Sequence, residues 1–398
     1  MDLRADGRIL YVSSVDVSIG NGPGVNEREF VLGLHSAIKE RAHFLIPRPA
    51  RDVDELRNIG CTYVFPHRRH NPLLYPAHVS AQVIAAQRLL QSQRFDLIVF
   101  RLDVLPVGPY VITRNHRVPY ALKTVGQGML NVLGERLGVI GKVLARVNLR
   151  IVRRMVEGAI CGDSVSKAQV EYLHQLLGSV SSKIVWIDNA VNTKRFYPVA
   201  TAQARQELGL ARYNPIVCYV GSRPWERGGM QLIEVAPRLI HRYRDLGIVI
   251  VGNGGGAEAL QKAARERGVA EHCVLTGYVP FDQVPKYINA CDVGVSISLR
   301  PDRSAASELK VRQYLACGKP VVISPGSNEF VVSEKLGTIV PPNDMEAIGA
   351  ALEEMLSQGA GEREGFARRA AQYMKENLSI EAAIARRLTL WSERLESR

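Results

Sequence analysis

The sequence predicts an α/β protein built from two doubly wound, parallel-sheet domains. Three observations lead there. Short apolar runs recur throughout the 398 residues, separated by amphipathic stretches of helical period. Several runs end in glycine-bearing turns that lead into helices, as parallel strands joined by crossover helices require. The alternation halts near Pro198 in a polar, alanine-rich stretch and then begins again. The length suits two domains. On this reading residues 1–198 form the first domain and 199–380 the second, with a terminal helix at about 381–398 packing back on the first.

The elements follow in order. A first strand is read at 8–14. The next loop carries Gly20, Gly22 and Gly24, and a helix begins near Asn26. Such a turn either lets a ligand approach main-chain amides or is simply tight. Strands are expected at 43–46, 95–100 and 119–125, with a helix at 79–91. In doubly wound sheets ligands meet the carboxyl ends of the strands. Arg101, Asp103, Lys123 and Gln127 follow such ends, so each is either a substrate contact or a solvated loop residue.

Residues 130–157 read as a basic amphipathic helix. Leu133, Leu137, Ile140, Leu144, Val147, Ile151 and Met155 recur at helical spacing, and six bases face two acids. The helix either lies on an anionic membrane surface or is a core helix with a solvated basic back. Interleaved aromatics and any recognised nucleic-acid module are missing, which argues against nucleic acid.

A strand at 184–187 precedes the Pro198 junction. Further strands are read at 216–220, 247–251, 273–279 and 292–298, with glycine-bearing loops at 221–228 and 252–256. Residues 303–323 read as a polar loop, a helix carrying Leu309, Val311, Tyr314 and Leu315, a stop at Gly318 and a strand at 321–323. The start of that helix gathers N–H groups and partial positive charge, which suits a phosphate.

Net charge is +12, unevenly placed: twenty-six basic against sixteen acidic side chains up to residue 200, then twenty-five against twenty-three. The first half therefore faces something anionic. No apolar run approaches the roughly 20 residues of a membrane span. The acidic start, running straight into a strand, does not read as a signal peptide. The six cysteines form no Cys-x-x-Cys pair, so zinc and disulfides are not expected, and free thiols point to the cytoplasm.

From about 185 to 345 the chain resembles the GT4 glycosyltransferases, of the two-domain GT-B fold; the first half resembles them loosely. The segments IDNAVNTKRFYP, YVGSRPWERGG, IVIVGNGGGAEAL, VLTGYV with VPKYINACDVGVSIS, and KVRQYLACGKPVVIS stand in family order. The resemblance implies two Rossmann-like domains facing across a cleft. It implies a retaining, metal-independent transferase that moves a sugar from a nucleotide-sugar donor, UDP- or GDP-linked, to a lipid-linked, polysaccharide or glycoconjugate acceptor at the cytoplasmic membrane face.

The resemblance also assigns residues. Arg227 stands where the family has its diphosphate-binding lysine. A second diphosphate arginine would fall at Ser222, with Arg223 one position later. Ser307, Glu308 and Leu309 would offer backbone amides to the phosphates. Gly252 belongs to the second glycine loop, Tyr278 and Val279 would lie near the base, and Gly22 and Gly24 would face the diphosphate from the first domain. The sequence departs from the family at its paired glutamates, which align with Ala305 and Gln313. Gln313 can still meet ribose hydroxyls without charge, and Glu308 would either face the sugar or favour the helix N-terminus. The family histidine aligns with Val125. These departures keep two alternatives open: a catalytically silent GT-B protein that partners a transferase, or a GT-B nucleotide-sugar epimerase.

Overall fold

The run Leu97–Leu102 is buried at all six positions, and Ile216–Val220 and Gly247–Val251 are buried at all five of theirs. Strands covered on both faces are mostly apolar instead of alternating, with Arg101 the one charge in these three runs, which sit near the middle of their sheets. The computed structural model describes residues 2–3, 5–64, 74–124, 138–252, 254, 256–299, 308–326 and 328–397. They group into two compact units: 1–188 with 380–398, and 189–379.

The first unit holds seven strands: β1 (Ile9–Val12), β2 (Ala42–Pro47), β3 (Cys61–Val64), β4 (Leu97–Leu102), β5 (Tyr120–Thr124), β6 (Cys161–Ser164) and β7 (Ile184–Trp186). Their order is β3-β2-β1-β4-β5-β6-β7, parallel throughout, so the chain reverses direction across the sheet between β1 and β4. One face packs Tyr11, Phe30, Phe44 and Trp391; the other packs Phe100, Val152, Met155 and Leu173. The terminal helix Ile380–Glu396 lies on the helix Gly22–Ile38, close enough that a Cβ on Gly33 would come within 2.3 Å of Ile380. Asp163 on β6 and Arg387 on that helix form a buried two-pronged ion pair, 3.0 and 2.7 Å.

The helix after β1 begins at Gly22, ahead of the expected start at Asn26. Asn21 caps it, accepting from the Gly24 N–H at 3.0 Å, and Pro23 sits in its first turn. Gly22 and Gly24 are thus helical instead of lying in a loop. Gly24 is needed there, since a Cβ would approach the Ile19 carbonyl to 2.2 Å.

The second unit holds β8 (Ile216–Val220), β9 (Gly247–Val251), β10 (Cys273–Gly277), β11 (Val293–Ser296), β12 (Val321–Ile323) and β13 (Gly337–Ile339), again all parallel. Their order is β10-β9-β8-β11-β12-β13, reversing between β8 and β11. Residues 189–198 belong to this unit, so the chain crosses over at Asp188–Asn189 and not at Pro198. The reason is packing: Val191 donates to the Leu378 carbonyl at 2.9 Å, and buried Phe196 packs its ring on Phe281. The helix Leu309–Ala316 buries Val311, Tyr314 and Leu315, and Gly318 at φ +72° ends it ahead of β12.

Candidate functional site

The carboxyl edge of the second sheet is built by glycine loops pressed backbone to backbone. Val220 ends β8, and Gly221 (φ +150°) donates to the Val251 carbonyl at 2.9 Å. A Cβ on Gly252 would stand 2.0 Å from the Gly221 carbonyl oxygen, and one on Gly254 would stand 1.7 Å from that of Ser222. No side chain fits, which explains glycine at both positions. Beneath them Tyr314 accepts from the Val220 N–H at 2.7 Å, fixing the helix Leu309–Ala316 to the end of β8. Gly294 permits this, because a Cβ there would meet the Tyr314 ring at 2.4 Å.

Arg227 sits in the loop after β8, held by its carbonyl, which accepts from the Ile297 N–H at 3.2 Å. Its guanidinium pairs with Glu308 at the head of the helix, and the second Glu308 oxygen accepts from the Ser296 hydroxyl. The pair is largely buried, with side chains 18% and 10% exposed. Glu308 therefore neutralises Arg227, and its side chain does not cap its own helix. Ser222 and Arg223 are exposed at the same edge, with Arg223 3.4 Å from Glu226. Tyr278 is exposed and Val279 half-buried just past β10, which meets the second glycine loop where Gly252 donates to the Gly277 carbonyl at 2.9 Å. Leu309 opens the helix and Gln313 is buried within it. Ser307 and Gln127 lie outside the described residues, as do Ala305 and Val125.

Two cationic side chains of this helix escaped sequence analysis. Arg312 is fully buried and donates to the Asn189 carbonyl and to Asn328, both at 2.9 Å, so it ties the helix to the start of the unit. Lys310 projects toward β8, with its ammonium 4.0 Å from the Tyr219 ring centroid.

The carboxyl edge of the first sheet is different in kind. Arg101 and Lys123 are neither solvated loop residues nor open contacts: they lie inside β4 and β5 and are 5% and 1% exposed. Both converge on Glu27, itself fully buried. Arg101 pairs with it closely, Lys123 lies 3.4 Å away, and the Tyr11 hydroxyl donates to it at 2.6 Å. Burial alone would raise the Glu27 carboxyl, but Arg101 and Lys123 outweigh burial and hold it at about 2. One carboxylate serves two cations, so Lys123 is the worse paired. Burial pushes its ammonium down to about 8, with Arg101 and Arg387 adding to the effect and Glu27 opposing it. Asp103 is half-buried and accepts from the Val104 N–H at 2.9 Å. The signal that sequence reading missed was a carboxylate on an apolar stripe: Glu27 precedes Phe30, Val31, Leu34 and Ile38 at helical spacing.

With this geometry in hand, residues 214–358 match the family model of the group 1 glycosyl transferases. This stretch is similar to a group 1 glycosyltransferase domain. It contains both glycine loops, Arg227 and the helix Leu309–Ala316. Over 188 residues the chain is 35% identical to a GDP-mannose-dependent alpha-(1-6)-phosphatidylinositol monomannoside mannosyltransferase of Mycolicibacterium smegmatis, 44% of this chain and 48% of that one. Over 184 residues it is 29% identical to an alpha-D-kanosaminyltransferase of Streptomyces kanamyceticus, 46% of each. The chain thus spans about half the length of these curated relatives. Among solved structures, a sucrose-phosphate synthase from Thermosynechococcus elongatus aligns with TM-score 0.76 at 18% identity over 99% of this chain and 100% of that one. Anabaena HepE, solved with UDP and glucose, aligns with TM-score 0.73 at 17% identity over 97% and 100%. These likenesses show the fold, two Rossmann-like units of the GT-B class.

Proposed function

We propose that the chain is a glycosyltransferase that moves a sugar from a nucleotide-sugar donor, with the diphosphate bound at the carboxyl edge of the second sheet. The observation that carries this is Arg227, which lies in the first glycine loop and pairs with Glu308 at the head of the helix Leu309–Ala316. A guanidinium and the free N–H groups of a helix start are the donors a diphosphate leaving group needs. Arg223 and Ser222 stand at the same edge. In this reading fixed cations, not a metal, meet the charge that develops on the diphosphate, and transfer retains the anomeric configuration. Gln313 reaches the ribose, and Tyr278 and Val279 border the base. Because the curated relatives include GDP-mannose-dependent enzymes, GDP-mannose is the first donor to test, followed by UDP-linked sugars.

The test is thermal unfolding with a panel of nucleotide sugars. A donor present at 100 times its Kd stabilises by about 2.7 kcal/mol. The expected outcome is a raised Tm with one or two members of the panel; no shift with any of them would defeat the reading. NMR of the product anomer checks retention.

We further propose an acceptor at the inner membrane face, lipid-linked or a growing glycan. The helix Gly138–Gly158 supports this: Val139, Ile140, Val143 and Val147 are exposed, while Val152, Met155 and Val156 pack inward. Lys142, Arg146, Arg150, Arg153 and Arg154 share the exposed side. Each base near an anionic leaflet contributes roughly 1 kcal/mol. No helix among the described residues is long and apolar enough to cross a membrane, so attachment in this reading is peripheral. Sedimentation with anionic vesicles is expected to be salt-sensitive and weakened by neutralising Arg150, Arg153 and Arg154; equal binding to neutral vesicles would refute it.

A further inference from the structure

The Lys310 ammonium and the Tyr219 hydroxyl stand side by side, both buried, at the same sheet edge; the ammonium meets no hydrogen-bond partner among the described residues, and the hydroxyl is approached by the Arg223 backbone N–H. An orphaned buried polar atom is rare and calls for an explanation. Gly221 separates the pair from the loop. A Cβ on Gly221 would stand 2.8 Å from the Tyr219 hydroxyl and 3.1 Å from the Lys310 Nζ. Gly221, which has no side chain, therefore faces both groups.

The charges around the pair give the explanation. Arg227 comes from the loop and is matched by Glu308; Arg223 comes from the same loop and lies 3.4 Å from Glu226. Tyr219 comes from β8. Lys310 has a neighbouring cation, Arg227, and no acid of its own among the described residues. Burial first, and Arg227 second, push its ammonium well below the usual lysine range. Each of the two arginines is matched by a glutamate, so Lys310 is left without an acid, and an entering diphosphate would supply one.

We propose that Lys310 and Tyr219 form a buried anion-binding pair for the donor's diphosphate, and that Lys310 takes up one proton from solvent when a nucleoside diphosphate binds. This rests on the reading of the second unit as a nucleotide-sugar site. Balance is simple: the amine gains one solvent proton, its charge rises by one, and the buffer loses that proton. Lys310 is not among the residues that the family resemblance assigns, and a lysine serving only as core filler against the Tyr219 ring would show no such linkage.

The experiment is calorimetric titration of the full chain with UDP and with GDP at about pH 7.5, in buffers of different ionisation enthalpy. Wild type is expected to bind at least one of them with net uptake approaching one proton. Lys310→Met is expected to lose that uptake and to bind roughly 10- to 100-fold more weakly, the size of a lost charge-assisted hydrogen bond. Lys310→Arg, which keeps a fixed charge in a similar volume, is expected to bind within about threefold of wild type and to take up no proton. If Lys310→Met fails to fold, Lys310→Arg alone decides. Binding by wild type without uptake, or uptake unchanged in either variant, overturns the proposal and leaves the donor reading standing. Absence of UDP and GDP binding by wild type overturns the donor reading and this proposal with it.

Discussion

Under the proposed function, Arg227→Ala is expected to have two effects that can be read separately. The first is chemical. A guanidinium fixed beside a developing phosphate charge is worth about 10²- to 10³-fold in turnover, by analogy with the loss of one donor from an oxyanion hole. The second is structural. Glu308 is only 10% exposed and keeps a single neutral partner, Ser296, once Arg227 is gone. An unmatched carboxylate in that position costs about 1–3 kcal/mol of folding stability. The double variant Arg227→Ala/Glu308→Ala removes both charges together. It is expected to regain stability to within about 1 kcal/mol of wild type, because no orphaned ion remains, while turnover stays low. Urea unfolding and steady-state transfer with the donor found in the thermal panel read the two effects independently. If the double variant recovers turnover along with stability, Arg227 serves only to neutralise Glu308, and its role as phosphate ligand is wrong. Wild-type turnover in Arg227→Ala would refute the reasoning more directly.

Three further outcomes follow from the first unit. Glu27 is held at about 2 against a usual 4.5, so its folded value is depressed. Its contribution, on the order of 3 kcal/mol, is present above pH 4.5 and lost as pH falls toward 2. Acid unfolding followed by circular dichroism is expected to show this slope in wild type, and Glu27→Gln is expected to flatten it. Arg387→Ala strands Asp163, which is 0% exposed, and is expected to destabilise the unit by about 3–5 kcal/mol in urea titration; Asp163→Asn/Arg387→Met is expected to recover much of that loss. Gly22 has nothing within 4 Å of a built Cβ, whereas Gly24 would collide with the Ile19 carbonyl. Gly22→Ala is therefore expected to be neutral or to stabilise by up to about 1 kcal/mol, and Gly24→Ala to destabilise by about 1–3 kcal/mol in thermal melts.

The sheet centres were legible because a strand buried on both faces is apolar along most of its length: β1, β8 and β9 carry no charge, and β4 carries only Arg101. β6 was not legible. Its sequence Cys-Gly-Asp-Ser carries an ion and no large apolar residue, yet all four positions are buried. Asp163 is tolerated there only because Arg387, from the far end of the chain, pairs with it. β13 is three half-buried residues at a sheet edge, with little apolar signal of its own. The crossover was misplaced at Pro198 for a related reason. A proline-terminated, alanine-rich stretch looks like a linker, and only long-range contacts such as the Val191–Leu378 hydrogen bond and the Phe196–Phe281 ring pair show to which unit residues 189–198 belong.

The candidate site divides along the same line. Backbone features survive in the sequence because they depend on the local chain: glycines at positive φ where loops meet, a helix that starts at an edge, a glycine that ends it. Which cation is available does not, since that depends on what lies opposite. Arg101 and Lys123 have the right residue types at the right strand ends, yet Glu27 from a neighbouring helix has already claimed both. Arg227 is matched by a carboxylate 81 positions away in sequence. Lys310 carries no signal in the sequence; only the Tyr219 ring and Gly221 beside it reveal a buried amine. Under the proposal, Lys310 is therefore the group at this edge expected to respond to an incoming anion. A guanidinium already matched by Glu308 gains only by exchanging one anion for another, whereas an unmatched amine gains a full charge interaction.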